Sequence, residues 1–218
     1  MITVVMTSCG RLNLLKRTMD SFLKFNTYPI NEFVIIEDSC KLDVINEIKR
    51  LYPFTSVVIN EKNIGQVASI DKGYSFVKTP YIFHLEDDWE FYREGFIEKS
   101  LAILEHDKKI MQVWLRELYD TNTHPIEPEI YTLLNIKYRY VQINALGGNW
   151  HGFTWNPGLR RLSDYKLVAP FSSIREDGDF NALTECHIGQ KFFELGFRAV
   201  ILEQGYIKHI GYGQQVKH

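Results

Sequence analysis

Three adjacent carboxylates, Glu86, Asp87 and Asp88, follow the apolar run 81–85. Like charges this close repel one another unless a cation or hydrogen-bond donors compensate them. Hard divalent ions such as Mg²⁺ and Mn²⁺ favour carboxylate oxygens and can bridge them to phosphate oxygens. A metal site is therefore one interpretation, and a solvated acidic turn that caps the next helix is the other. The position at the end of an apolar strand favours the metal site.

Two further polar clusters follow apolar runs in the first half of the chain. Thr7, Ser8 and Arg11 lie in a turn between a predicted strand and a predicted helix, where free backbone amides suit the oxygens of an anion or a nucleotide. Glu37 and Asp38 follow the second apolar run, and their carboxylates can accept hydrogen bonds from a ribose or a base. Ordinary helix capping is the alternative for both clusters.

The second half of the chain carries candidates for a general base and for a further metal ligand. Glu185 opens the last predicted helix, so it is either a charge at a helix N-terminus or a base. Asp177 and Asp179 lie in a nearby acidic loop and compete with it for the second role. His209 lies in a glycine-containing tail that could close over a metal held by Asp88, although a lone histidine is more often structural.

A segment rich in glycine and aromatic residues, 146–158, precedes these candidates. Trp150 and Trp155 offer flat apolar faces that suit sugar rings, and Asn149 and His151 can bond hydroxyl groups. The alternative is that these aromatic side chains belong to the apolar core. The sequence leaves both interpretations open.

Alternating apolar patterns predict the elements that position these residues. Short apolar runs predict strands over 2–6, 33–36, 56–59 and 81–85, and apolar residues at helical spacing follow each of the first three. Strands that alternate with helices form βαβ units, hence a mostly parallel α/β sheet with helices on both faces. The polar clusters would then meet beyond the carboxyl ends of the strands, where such sheets bind ligands.

The second half is less regular. Its patterning predicts a helix over 96–104 and a last helix that ends at Gly196. It also predicts strands over 110–115, 138–143 and 199–202. Because no repeat, low-complexity segment or linker interrupts the sequence, we expect one mixed domain over residues 1–218.

Composition and charge exclude several classes of protein. The 218 residues are 45% hydrophobic, which excludes a disordered tail and a collagen-like repeat. With 25 Lys and Arg against 27 Asp and Glu, the net charge of −2 predicts binding neither to nucleic acid nor to an anionic membrane. Three cysteines without C-x-x-C spacing favour a reducing compartment. We see no signal peptide or membrane-spanning run, and so expect a cytoplasmic protein.

Taken together, these segments resemble the GT-A glycosyltransferases, most closely the family-2-like enzymes, over nearly the whole chain. Residues 4–11 resemble the family's opening strand and nucleotide turn, and Asp38 matches an acid that contacts uracil in relatives. Asn63 and Asp71 follow the spacing of the family's asparagine/glycine helix. Residues 86–90 resemble the DXD-type motif in the Glu-Asp-Asp form of the N-acetylglucosaminyltransferase I type.

The resemblance implies a GT-A fold and a role for each candidate residue. Asp88 would bind Mn²⁺ or Mg²⁺, and His209 would complete the metal site. Glu185 would supply the catalytic base. The predicted nucleotide contacts are Thr7, Ser8, Arg11, Glu37, Asp38, Asn63, Asp71 and Asp87. The predicted sugar and acceptor contacts are Glu86, Asn149, Trp150, His151 and Trp155.

We therefore expect a metal-dependent glycosyltransferase that moves a hexose or deoxyhexose from a nucleotide sugar to a hydroxyl group of a glycan or other acceptor. UDP is the expected nucleotide of the donor. Nucleotide binding is expected in residues 1–105, and sugar and acceptor binding in residues 106–218. An inverting reaction with Glu185 as base is favoured over a retaining reaction, which would need no such base.

Two alternatives stay open. The chain departs from the common family pattern at Thr7, Gly10, Ile70 and Cys186, which favours a non-catalytic nucleotide- or glycan-binding module of the same fold. The other alternative is a sugar nucleotidyltransferase. That activity would call for a glycine-rich, lysine-bearing phosphate loop, and the turn over residues 7–11 is too short for one.

Overall fold

The computed structural model describes residues 1–175 and 181–214. Its strands are β1 Ile2–Ser8, β2 Glu32–Glu37, β3 Ser56–Ile59, β4 Tyr81–Glu86, β5 Trp89–Phe91, β6 Ile110–Trp114, β7 Tyr131–Leu133, β8 Ile136–Tyr140, β9 Gly158–Arg161, β10 Arg198–Leu202 and β11 Ile207–His209. Its α-helices are α1 Leu12–Phe25, α2 Leu42–Leu51, α3 Gln66–Ser75, α4 Phe96–His106, α5 Leu162–Val168 and α6 Asn181–Glu194. A single turn of 3-10 helix spans Phe171–Ser173.

A five-stranded sheet with the order β3-β2-β1-β4-β9 carries the polar strand ends. Its first four strands are parallel, and β9 is antiparallel to β4. The register pairs Ser8 with Glu37 and Thr7 with Glu86, so three strands end side by side. The predicted mostly parallel α/β sheet is therefore confirmed, and the polar residues after these strands meet at one edge.

Apolar side chains cover both faces of this sheet, because successive residues of a strand point to opposite faces. In β1, Val4 and Met6 pack with buried residues of α1, α2 and α4. Val5 points the other way and packs with α3, α5 and α6. Helix α3 lies close to the sheet, since a Cβ at Gly73 would be 2.5 Å from Val5 Cγ1 and 3.1 Å from Ile36 Cγ1. Helices on both faces agree with the prediction.

A second, four-stranded sheet has the order β6-β10-β8-β7. Strand β8 spans Ile136–Tyr140 rather than the predicted 138–143. It starts earlier because it forms a tight hairpin with β7, in which Leu133 pairs with Ile136 and Leu134 has a positive φ of 56°. Two-residue hairpin loops of this kind require such backbone angles.

Strand β9 was not predicted, because two charged residues interrupt its apolar pattern. Arg160 and Arg161 are nevertheless buried. The Arg161 guanidinium donates to the carboxylate of Asp164 at 2.8 Å and to backbone carbonyl oxygens of Leu104, Lys108 and Ile110. Buried charges need such partners, so the strand is stable only in this tertiary setting.

A two-stranded antiparallel ribbon joins the acidic segment to the C-terminal tail. Strand β5 begins directly after Asp88 and pairs with β11, so that Trp89 lies opposite His209. The backbone N–H of Ile210 donates to the carbonyl oxygen of Asp88 at 2.8 Å. The tail is therefore held beside the acidic triplet. Within the two described ranges, no helix combines the length and the apolarity needed to cross a bilayer.

Candidate functional site

The ends of β1 and β4 bring a hydroxyl, a guanidinium and two carboxylates together. Ser8 Oγ donates to Asp87 Oδ2 at 3.0 Å. Arg11 Nε donates to the same oxygen at 3.2 Å, and another Arg11 nitrogen bonds Asp87 Oδ1. Arg11 also forms an ion pair with Asp88 Oδ2, where Nη1 lies 2.9 Å away. One cation thus faces two acids, and the cluster has capacity for further positive charge.

Asp87 is enclosed by this cluster, with only 1% of its surface exposed. Burial raises the pKa of Asp87 to about 6, against the opposing effect of the Arg11 guanidinium. Its carboxylate is held by protein donors on both oxygens. Asp87 therefore orients Ser8 and Arg11, the two side chains best placed to meet the oxygens of a nucleotide.

Asp88 and His209 form the part of the cluster whose donor atoms suit a metal ion. His209 Nε2 lies 3.3 Å from Asp88 Oδ2, close to the roughly 3.0 Å between neighbouring ligands of an octahedral ion with bonds of about 2.1 Å. Burial acts to raise the pKa of Asp88, but hydrogen bonds and charge from His209 and Arg11 outweigh it and lower the pKa. The carboxylate is thus kept in the ionised form that a metal requires.

The structure offers two protein ligands rather than a complete cage. Among residues 1–175 and 181–214, no group of three or more His, Cys, Asp or Glu side chains could hold an ion by itself. Mg²⁺ and similar ions commonly use one or two protein ligands and complete their shell with phosphate oxygens and water. Asp88 and His209 therefore fit a metal that binds together with a diphosphate.

Gly211 leaves the space that the Asp88 carboxylate occupies. A Cβ at Gly211 would lie 2.8 Å from Asp88 Cβ and 2.9 Å from Cγ, and closer still to Oδ2. The Asp88 side chain would have to move away, since such distances are not tolerated between packed carbon atoms.

We therefore expect Gly211→Ala to weaken Mn²⁺ affinity about tenfold or more, as misoriented ligands do in metal sites. Thermal-shift titration with Mn²⁺ and UDP measures this. Lys208→Ala is the matched control, because it removes only an exposed ion pair with Glu90 on the same tail. An unchanged Mn²⁺ titration for Gly211→Ala would contradict the proposed packing of Asp88.

Glu86 lies between the acidic cluster and the candidate base. Its carboxyl accepts a hydrogen bond from Trp89 Nε1 at 3.1 Å and one from Gln66 Nε2. Burial, followed by the charge of Asp88, raises the pKa of Glu86 well above its usual range. The neutral form that this favours can donate as well as accept, which suits a sugar hydroxyl.

Asp38 is committed to the loop before α3. Its carboxylate accepts hydrogen bonds from Asn60 Nδ2 at 2.6 Å, from Ile64 N at 2.9 Å and from Gly65 N at 2.8 Å. The predicted contact between Asp38 and a nucleotide is therefore corrected to a structural role. Asn63 contributes to the same loop through its side-chain donor to the Asp38 carbonyl oxygen at 3.1 Å.

We expect Asp38→Ala to lower the free energy of unfolding by about 3 kcal/mol, because it leaves an amide side chain and two backbone N–H groups unpaired. Urea denaturation measures this, and Asp43→Ala, at an exposed position of α2, should stay within about 0.5 kcal/mol of the parent. A stable Asp38→Ala variant with weakened UDP binding would instead restore a direct nucleotide contact.

Glu37 and Asp71 also hold backbone rather than open space. Glu37 Oε1 accepts from the N–H groups of Gly10 and Ser39, both at 2.9 Å. Asp71 accepts from Tyr165 OH at 2.7 Å, and its two oxygens accept from the backbone N–H groups of residues 171 and 172 at 2.9 and 2.7 Å. Asp71 therefore anchors the segment after α5, and its predicted nucleotide contact is corrected as well.

Glu185 lies in the first turns of α6, and one of its oxygens is fixed. Oε1 accepts from Thr154 Oγ1 at 2.9 Å and from Trp155 N at 2.6 Å. Burial raises the pKa of Glu185 to about 7, although these two hydrogen bonds act to lower it. A carboxylate that titrates near neutrality is suited to general base catalysis. Asp177 and Asp179, the competing candidates, lie outside the described residues.

The aromatic segment divides between core and surface. Trp150, His151 and Trp155 are 3%, 1% and 3% exposed. Trp150 stacks on His124 with ring centres 4.0 Å apart, and the other two also pack against aromatic neighbours. Side chains this buried cannot stack on a sugar, so their predicted sugar contacts are corrected to core packing. Asn149 is exposed and stays a candidate.

Arg116 and Trp89 belong to the site but were not predicted. The Arg116 guanidinium lies 5.2 Å from the centre of the Trp89 ring, and its Nη2 is held by Asp120 at 2.7 Å. Its charge also acts on Glu185. Arg116 comes two residues after β6, so the rule that ligands meet strand ends could have identified it.

Residues 3–167 match the profile of a family described as glycosyl transferase family 2. No curated protein sequence matches the chain at a significant level. Similar folds occur in three solved structures of nucleotide complexes. S. aureus TarS 1-349 in complex with UDP has a TM-score of 0.64 at 15% identity, and 94% of this chain covers 59% of TarS 1-349.

GalNAc-T7 with UDP, GalNAc and Mn²⁺ has a TM-score of 0.62 at 15% identity, with coverage of 95% of this chain and 43% of GalNAc-T7. The mannosyltransferase PcManGT from Pyrobaculum calidifontis, in complex with GDP-Man and Mn²⁺, has a TM-score of 0.64 at 12% identity, with coverage of 92% and 55%. The chain thus spans about half the length of these neighbours, which share its GT-A fold.

Proposed function

The chain belongs to glycosyl transferase family 2, and on that premise we propose that it transfers a sugar from a nucleotide donor to a hydroxyl group of an acceptor. The observation that carries the proposal is the junction of β4 with the β5–β11 ribbon, which places Asp88 and His209 beside Ser8 and Arg11. Carboxylate, imidazole, guanidinium and hydroxyl groups together suit a diphosphate and its metal ion.

We propose UDP as the donor nucleotide, Mn²⁺ or Mg²⁺ as the metal and a hexose or deoxyhexose as the sugar. Two of the three structural neighbours were solved with UDP, and two with Mn²⁺. Residues 1–105 would supply the nucleotide contacts, and residues 106–218 the acceptor side. Glu86 and Asn149 are the described side chains from the sequence prediction that we retain for the sugar and acceptor.

The chemical difficulty of the reaction is the negative charge that develops on the departing diphosphate. A divalent ion held by Asp88 and His209 would neutralise that charge when bound. Arg11 adds a second positive charge at the same place, and Asp87 keeps its guanidinium oriented. Ser8 supplies a hydroxyl beside them.

Glu185 completes an inverting reaction. Its oxygen Oε2 accepts the proton of the acceptor hydroxyl, the acceptor oxygen forms a bond to the anomeric carbon, and the bond from that carbon to the diphosphate breaks. The proton ends on Glu185 and the electron pair on UDP. The carboxyl near neutrality, with Oε1 already fixed, supports this role.

A panel of nucleotide sugars with Mn²⁺ tests the proposal. Thermal shift identifies the donors that bind, and UDP release measures turnover, first without acceptor and then with candidate glycans. We expect one UDP-sugar to stabilise the protein and to release UDP in a metal-dependent reaction. Tight binding without turnover under all conditions would instead support the non-catalytic module.

A further inference from the structure

We propose that Thr154 is a positioning residue for Glu185, which holds Oε1 so that Oε2 is the atom that meets the acceptor hydroxyl. This inference rests on the proposed function, since it assumes that Glu185 is the base. The contact itself joins two elements, because Thr154 lies before β9 and Glu185 lies on α6. A base on a helix thus takes its orientation from a segment attached to the central sheet.

The hydroxyl of Thr154 is arranged to donate. Its Oγ1 accepts a hydrogen bond from the backbone N–H of Asn156 at 3.3 Å, so the hydroxyl proton is available for Glu185 Oε1 at 2.9 Å. The N–H of Trp155 donates to the same Oε1 at 2.6 Å. With two donors on one oxygen, the carboxylate cannot rotate without losing both hydrogen bonds.

The backbone of Thr154 is itself fixed from two sides. Gln112 on β6 forms a pair of hydrogen bonds with it, accepting from Thr154 N at 3.2 Å and donating to Thr154 O at 3.0 Å. Arg160 on β9 donates to the same carbonyl oxygen at 2.6 Å. Thr154, Gln112 and Arg160 are all at least nine-tenths buried. A rigid support of this kind is what precise placement of a base requires.

Charged groups from several elements face Glu185 and set the background for the Thr154 hydrogen bond. Arg160 on β9 and Arg116 after β6 favour its ionised form. Glu86 at the end of β4 interacts with it as a like charge, and Cys186 neighbours it on α6. Thr154 differs from all of these because it bonds the carboxylate directly. Its loss should therefore change both the orientation and the protonation of the base.

Thr154→Val tests the inference, since valine has the shape of threonine without the donor. We expect kcat at pH 7 to fall about tenfold, and the acidic limb of the pH profile to move upward by about one unit, because a hydrogen bond to an ionised group is worth about 1.5 kcal/mol. Affinity for UDP with Mn²⁺ should not change. Thr154→Ser keeps the hydroxyl and should restore both the rate and the position of the acidic limb.

An unchanged pH profile for Thr154→Val, or a Thr154→Ser variant as impaired as Thr154→Val, would overturn the positioning role. If Thr154→Val does not fold, Thr154→Ala removes the same hydroxyl with less volume to fit and takes its place. The base assignment is tested separately by Glu185→Gln. Inactive Glu185→Gln together with a normal Thr154→Val would reject this inference alone, whereas active Glu185→Gln would reject the assigned base.

Discussion

Replacement of Asp88 by asparagine should slow metal-dependent UDP release by about a hundredfold or more, because it removes the negative charge that binds the ion. Asparagine has nearly the same size as aspartate, so the packing under Gly211 and the pairing of the β5–β11 ribbon should survive. The rate of UDP release at saturating donor, measured over a range of Mn²⁺ concentrations, gives the effect.

Asp20→Asn is the matched control for this variant. Asp20 is an exposed residue on α1 whose carboxylate accepts from Tyr52 OH at 2.9 Å, away from the strand ends. Its replacement makes the same chemical change and should leave both UDP release and its Mn²⁺ dependence unaltered. Undiminished UDP release by Asp88→Asn would mean that Asp88 is not the metal ligand.

Replacement of Glu185 by glutamine should lower kcat by about a hundredfold to ten-thousandfold, the contribution typical of a general base. The affinity for UDP with Mn²⁺ should stay close to that of the parent, since the described hydrogen-bond partners of Glu185 are Thr154 and Trp155 rather than Asp88 or Arg11. Turnover with donor and acceptor, together with calorimetric binding of UDP, separates the two effects.

The pH dependence of the parent enzyme follows from the same carboxyl group. Burial raises the pKa of Glu185 to about 7, and a base works only when it is deprotonated. The rate should therefore fall as the pH drops below about 7 and level off above it. Glu185→Gln should lack this limb in its residual activity.

Glu194→Gln is the control on the same helix, at an exposed position where Gln190 donates to its carboxylate at 3.0 Å. It should retain full turnover and the parent pH profile. A Glu185→Gln variant as active as Glu194→Gln would move the base to Asp177 or Asp179, or would favour a retaining reaction.

The part of the site that follows from parallel-sheet geometry could be predicted from the sequence. Four apolar runs with helices between them fix the end of each strand to within one or two residues. Parallel pairing then places Ser8 beside Glu37 and Thr7 beside Glu86 without further information. Local pattern and tertiary structure agree here because the strands are buried on both faces.

The β5–β11 ribbon illustrates what local pattern cannot provide. Each strand has only three residues, too few for a periodicity to be recognised. Their pairing joins Trp89 to His209 across most of the chain, so only the family resemblance indicated that His209 reaches Asp88.

The roles of single polar or aromatic residues depend on distant partners in the same way. Asp71 faces backbone N–H groups about a hundred residues later in the chain. A tryptophan such as Trp155 has the same composition whether it packs against Phe171 or lies open to a sugar. These roles are set by tertiary packing, and no local signal distinguishes them.

The central claim is that the carboxylate end of β4 holds a cation against a diphosphate. Calorimetric titration of UDP into the unmodified chain, once with Mn²⁺ and once with a chelator, tests it most directly. Tight binding with Mn²⁺ and a loss of affinity of at least about tenfold with the chelator is the predicted result. Equal UDP affinity under both conditions would contradict the claim.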